Sequence, residues 1–128
     1  MIILDTHIWI WWVDGSDRLS AAQRNAIMGH TEIGVSAISC WEVSKLVEKS
    51  RLTLDRPTLD WLQLALLYPN VRLLDLSPEV AAASASLPGS FHRDPADQIL
   101  TATARLNDCS LVTSDQKIID YTHVRTIS

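Results

Sequence analysis

Cysteine is almost missing from this sequence. Of 128 residues only Cys40 and Cys109 are cysteines, far apart and outside any CxxC or Cys/His spacing. That excludes a disulfide framework and predicts two reduced, buried thiols in a cytoplasmic protein. Zinc-type ligation lacks donors as well, because His7, His30, His92 and His123 show no ligand spacing. There is no long hydrophobic run. The apolar start, Met1 to Val13, contains Asp5, follows no basic residue and has no small-residue cleavage site, so it reads neither as a signal peptide nor as a membrane span. No membrane association is expected. A basic excess is also absent: 11 Lys and Arg face 15 Asp and Glu, for a net charge of −4. A passive nucleic-acid binder draws much of its affinity from basic residues that neutralise phosphates. If this chain acts on nucleic acid, something other than a global positive field holds the phosphate, and a metal ion is the obvious candidate.

What is present fits one compact domain over residues 1–128. With 47% apolar residues the chain can build a proper core without staples. Short apolar runs alternate with helical patterns, and repeats, low-complexity tracts and long linkers are lacking. Strands are predicted at Ile2–Leu4, Ile33–Val35, Val71–Leu74 and Ser110–Thr113, with a final one at Val124–Ile127. Helices are predicted over Thr6–Val13, over Ala21–Met28 behind the cap Ser20, and from Ser39 to about Lys49. Further helices cover Pro57–Tyr68, Pro78 to about Pro88, Pro95–Leu106 and Asp115–Tyr121. Ser39 and Glu42 have capping-box spacing. Strands without clean alternation, joined by helical crossovers, predict a three-layer α/β/α domain with a mainly parallel central sheet.

The positions of the acids matter more than their number. Asp5 ends the first strand, and Asp115 follows the fourth by two residues. Glu42 and Asp97 are placed in the first turns of their helices. In open α/β sheets the ligand crevice lies beyond the carboxyl ends of the strands. Carboxylates grouped there repel one another unless a divalent cation neutralises them. Mg²⁺ or Mn²⁺ suits such an oxygen-donor set, and one or two such ions could activate a water against a phosphodiester. Each acid also has a purely local explanation. Asp5 and Asp115 could be caps or turn formers, Glu42 could complete a capping box with Ser39, and Asp97 could pair with Asp94 or favour its helix dipole.

Four segments, in this order, carry a resemblance. They are Leu4-Asp5-Thr6-His7, Ser39-Cys40-Trp41-Glu42-Val43, His92-Arg93-Asp94-Pro95-Ala96-Asp97-Gln98 and Val112-Thr113-Ser114-Asp115. Over essentially its whole length the chain resembles the VapC toxins of the PIN-domain family. The resemblance implies an endoribonuclease dependent on Mg²⁺ or Mn²⁺, silenced by a cognate antitoxin and commonly dimeric. It places the catalytic, metal-binding acids at Asp5, Glu42, Asp97 and Asp115, with Asp94 as an added acid near the metal. Thr6 and Thr113 take the places of hydroxyls that orient a carboxylate or a metal-bound water. Gln98 departs from the pattern, since many relatives have Arg after the third acid. An aspartyl-phosphate phosphatase is disfavoured, because His7 stands where the second Asp of its pair belongs. A nuclease acting on DNA and a catalytically silent antitoxin-binding domain remain as alternatives.

Lys45, Lys49 and Arg93 are the expected substrate contacts. The first two share a helix face with Glu42, and Arg93 precedes Asp94. The plainer reading of all three is solvated surface charge. Two helices look too apolar for a small core: Ile8 to Val13, with Trp9, Trp11 and Trp12, and the helix of Leu59, Trp61, Leu62, Leu64, Leu66 and Leu67. Either the core absorbs them, or part of this surface receives an antitoxin helix or a second copy in a homodimer.

Overall fold

The computed structural model describes residues 1–128. Five strands, β1 (Ile2–Leu4), β2 (Ile33–Ser36), β3 (Val71–Leu74), β4 (Ser110–Val112) and β5 (Thr126–Ile127), form one sheet in the order β3-β2-β1-β4-β5. Every pairing is parallel, with Ile2 opposite both Ile33 and Ser110. Seven helices make the connections: α1 (Thr6–Val13), α2 (Ala21–Gly29), α3 (Ala37–Glu48), α4 (Thr58–Leu66), α5 (Pro78–Ser84), α6 (Pro95–Leu106) and α7 (Gln116–Ile119).

Side chains of successive strand residues point to opposite faces, and both faces are covered. Ile2, Leu4, Ile33, Val35 and Val112 pack with Ile8, Trp9, Leu19, Ile27, Val43, Trp61 and Ala65, which come from the α1–α4 region. On the other face Ile3 and Leu111 pack with Leu100, Ala104 and Ile118 of α6 and α7. Ile2, Ile3 and Leu4 are all buried because neighbours in sequence serve different cores. The three layers are those expected.

Several boundaries differ from expectation. The third helix begins at Ala37, not Ser39, because the Ser36 hydroxyl accepts from the Ile38 N–H and caps it. Glu42 therefore sits in the second turn, and Ser39 is no cap: its hydroxyl is buried against that of Thr6, 2.8 Å away. The Ala-rich helix stops at Ser84, short of Pro88. Ser84 and Ser86 turn their hydroxyls back onto the carbonyls of Ala81 and Ala82, a local bond that competes with helix continuation. The helix predicted over Asp115–Tyr121 is reduced to α7, with Asp115 as its cap. The last strand is two residues long. Of the thiols, Cys109 is buried, whereas Cys40 is only half-buried; both are free.

Candidate active site

The sheet reverses its winding between β1 and β4. From β1 the chain moves outward through β2 to β3, then returns to add β4 and β5 on the other side. A crevice opens at such a switch point, beyond the strand carboxyl ends. Asp5 and Asp115 flank it, because they follow the two strands that border the reversal. Glu42 reaches it from α3, and Asp94 and Asp97 from the start of α6. Together with His7, Ile8, Trp11 and Ser114 these five acids line a cleft of about 300 Å³.

Hydrogen bonds fix the acids individually. Asp5 is buried; its Oδ1 accepts from the Thr6 N–H (2.7 Å) and its Oδ2 from the Thr113 hydroxyl (2.6 Å). Thr113 Oγ1 also accepts from the Asp115 N–H at 3.0 Å, so one hydroxyl ties two acids of the cleft together. Gln23 steadies this corner, donating from Nε2 to the Ser114 hydroxyl at 2.8 Å and to the Thr113 carbonyl at 3.3 Å. The Thr6 hydroxyl donates to Glu42 Oε1. Asp94 caps α6, accepting from the Asp97 N–H at 3.0 Å, so the expected Asp94–Asp97 bond exists with the backbone of Asp97 as donor. The Asp97 carboxylate is left free to meet His92 Nε2 at 2.7 Å.

The surroundings of these acids disfavour their charged forms. Burial pushes the Asp5 carboxyl above its ordinary range, against the Thr113 and Thr6 hydrogen bonds that lower it. Burial likewise raises Glu42 to about 7, with Asp5, Asp97 and Asp94 adding repulsion. Asp97 rises to about 6 for the same first reason, opposed by the bond from His92. Loss of water is thus the larger cause and mutual repulsion the smaller. No Lys or Arg forms an ion pair with any of the five acids. The pairs present are Lys45–Glu48, Arg56–Asp55, Arg72–Glu32 and Arg125–Asp108, all elsewhere, and His92–Asp97.

His92, Asp97 and Asp115 offer ligand atoms that all lie within 4.8 Å of one another. Helix- or loop-local zinc spacing passes over His92, because that test looks for several His or Cys ligands close in sequence. The usable signal was its place in the acidic segment that ends at Asp97. Gln23 gave only a capping-box signal with Ser20, which is real (3.0 and 2.9 Å) but says nothing of Thr113 and Ser114. Of the expected basic contacts, Lys45 is engaged by Glu48 at 3.2 Å, and Lys49 and Arg93 are exposed; none of the three lines the cleft. Trp9 and Trp61 belong to the core, Trp11 and Trp12 are half-buried, and Leu59, Leu64 and Leu67 of the α4 region are exposed.

A switch-point crevice lined with carboxylates, rather than closed by a glycine-rich phosphate loop, defines an acidic-site α/β domain. The PIN domain family matches residues 2–124, and the chain belongs to that family, among its VapC-type members. It is 39% identical to Ribonuclease VapC22 of Mycobacterium tuberculosis over 127 residues, covering 99% of this chain and 96% of that protein. The fold is shared with a toxin–antitoxin complex from Klebsiella pneumoniae (TM-score 0.70, 17% identity, 100% of this chain and 97% of that one). It is shared equally with VapBC2 from Rickettsia felis bound to a promoter DNA fragment (TM-score 0.70, 18% identity, 98% and 97%). No helix is long and apolar enough to cross a membrane.

Proposed function

We propose that this chain is a metal-dependent endoribonuclease, the toxin of a toxin–antitoxin pair, which hydrolyses RNA phosphodiester bonds in the cytoplasm. One observation carries the reading: five carboxylates share one cleft without a Lys or Arg to neutralise them. The five carboxylates make an oxygen-rich donor set, with the His92 nitrogen bonded to Asp97 beside it, and such a set fits Mg²⁺ or Mn²⁺ rather than a softer metal. Asp5, Glu42, Asp97 and Asp115 would hold the ion, with Asp94 beside them. When bound, the ion supplies Lewis acidity at the phosphate and a more acidic water.

The chain's own residues position the acids. Thr113 and the Thr6 N–H fix both oxygens of Asp5, and Thr6 fixes Oε1 of Glu42, so neither carboxylate is free to rotate. His92 does the same for Asp97, acting as a hydrogen-bond partner of the acid. In the metal-free cleft burial raises Glu42 to about 7, so Glu42 would give up its proton on binding an ion there.

The relatives' association with antitoxins suggests where a partner docks. The α4 region exposes Leu59, Leu64 and Leu67, and Tyr68, which follows them, meets the Trp12 ring edge-on at 5.3 Å. Leucines presented this way suit an apolar helix of an antitoxin. A homodimer would use the apolar groove lined by Ile38, Trp41, Leu76, Pro95 and Ala96, where Trp41 is half-exposed at 53%.

The test is cleavage of single-stranded RNA and DNA by purified protein with Mg²⁺, with Mn²⁺ and with EDTA. RNA cleavage that EDTA abolishes and either ion restores is expected. Preference for DNA would move the reading to a deoxyribonuclease, and inactivity on both to a silent binding domain.

A further inference from the structure

The acidic cleft has one wall that is not acidic. His7 and Trp11, four residues apart on one face of α1, line the cleft together with the carboxylates. Their ring centroids lie 6.0 Å apart with planes at 54°. The core takes Ile8, Trp9 and Ile10 from this helix, while His7 is exposed and Trp11 half-buried. The Trp11 ring is therefore part core and part cleft surface.

The chain then folds back over that ring. The N–H groups of Asp14, Gly15 and Ser16 bond the carbonyls of Ile10, Trp12 and Trp11 at 3.0, 3.2 and 2.9 Å, and close α1. Gly15 takes φ +66°, a left-handed conformation that glycine adopts freely, and this reverses the chain. The Arg18 N–H bonds Ser16 Oγ at 3.1 Å. As a result the Arg18 guanidinium lies 5.7 Å from the centre of the Trp11 ring. That guanidinium is exposed and has neither an ion pair nor a hydrogen bond. A cation without an ion-pair partner is thus held against an aromatic ring that lines the acidic cleft, in a chain of net charge −4.

We propose that this wall is a nucleotide subsite. One base flanking the cleaved bond of a single-stranded RNA stacks on Trp11 beside His7, and Arg18 contacts the phosphate on that side. An aromatic ring binds any base through its π face, and guanidinium is suited to phosphate, so the pair takes a nucleotide without selecting sequence. The acids are thereby left to the reacting phosphate. The subsite rests on the ribonuclease reading, since it positions the substrate of that reaction.

The experiment is steady-state kinetics of the full chain on a single-stranded RNA oligonucleotide with one cleavage site. Two further oligonucleotides replace the base on either side of that site by an abasic residue. Trp11→Ala is expected to raise KM roughly ten- to hundredfold with kcat changed far less, as loss of one base–aromatic stack implies, and Trp11→Phe to keep most of the affinity. One of the two abasic substrates should suffer the same loss with the parent protein and no additional loss with Trp11→Ala. Arg18→Gln should lower the salt dependence of KM by about one phosphate contact. If Trp11→Ala does not fold, Trp11→Phe and the abasic substrates still decide the matter. A parent protein that cuts RNA but tolerates both abasic substitutions overturns the subsite alone. A parent protein that cuts no RNA overturns the ribonuclease reading and the subsite with it.

Discussion

Replacing Glu42 by Gln removes a charge from the cleft while keeping an oxygen to accept from the Thr6 hydroxyl. Below about pH 4 the folded and the unfolded chain both hold a proton on Glu42, and its ionisation does not affect the balance. As pH rises the unfolded chain ionises first, at the ordinary 4.5, while the folded chain holds its proton to about 7. The unfolded state is favoured increasingly across that window, so Glu42 lowers the stability of the metal-free protein from about 4.5 upward until it levels off above about 7. A span of roughly 2.5 pH units at about 1.4 kcal/mol each gives about 3 kcal/mol. Partial contact with water screens the charge and reduces the expected figure to about 2 kcal/mol. Urea unfolding in EDTA, followed by tryptophan fluorescence, should therefore find Glu42→Gln more stable than the parent by about 2 kcal/mol at about pH 8, and equal to it at about pH 4. Millimolar Mg²⁺ or Mn²⁺ should stabilise the parent more than the variant and narrow the gap, because an ion that binds only the folded state adds to its stability. A variant no more stable than the parent at the higher pH would show that the cleft does not hold Glu42 against ionisation.

Asp5→Asn and Asp115→Asn should each abolish RNA hydrolysis with an unchanged circular dichroism spectrum, since charge is lost without volume; full activity in either would mean the acid is misassigned. Thr113→Val should cost about 2–4 kcal/mol in urea unfolding, because it deprives the buried Asp5 carboxylate of a 2.6 Å bond and orphans the Asp115 N–H; a loss below about 0.5 kcal/mol would contradict that. Ala at Lys45, Lys49 and Arg93 together should weaken RNA binding in a salt series without altering the melting temperature, and unchanged binding would make them surface charges. Asp at Leu64 and Leu67, both exposed, should leave the fold intact and block capture of a cognate antitoxin, which normal binding would refute.

The sequence by itself determined the layers and the place of the site. Apolar strands alternating with helices leave a parallel sheet as the workable arrangement, and parallel strands put all their carboxyl ends on one edge. Asp5 and Asp115, at or just past strand ends, could be placed there from the chain alone. Asp94 could be read as a cap because its partner is the N–H three residues on. What the tertiary structure decided is how the acids are held. Ser39 and Glu42 look like a capping box, yet both answer to Thr6, 33 and 36 residues away. Asp5 is held by Thr113 across 108 residues, and Gln23 reaches Ser114 across 91. A hydroxyl or amide has the same donors whether it bonds its own turn or a distant strand, so local pattern favours the nearby partner. Only packing of α1 and α3 against the same sheet brings the distant one closer and makes it the partner that excludes water.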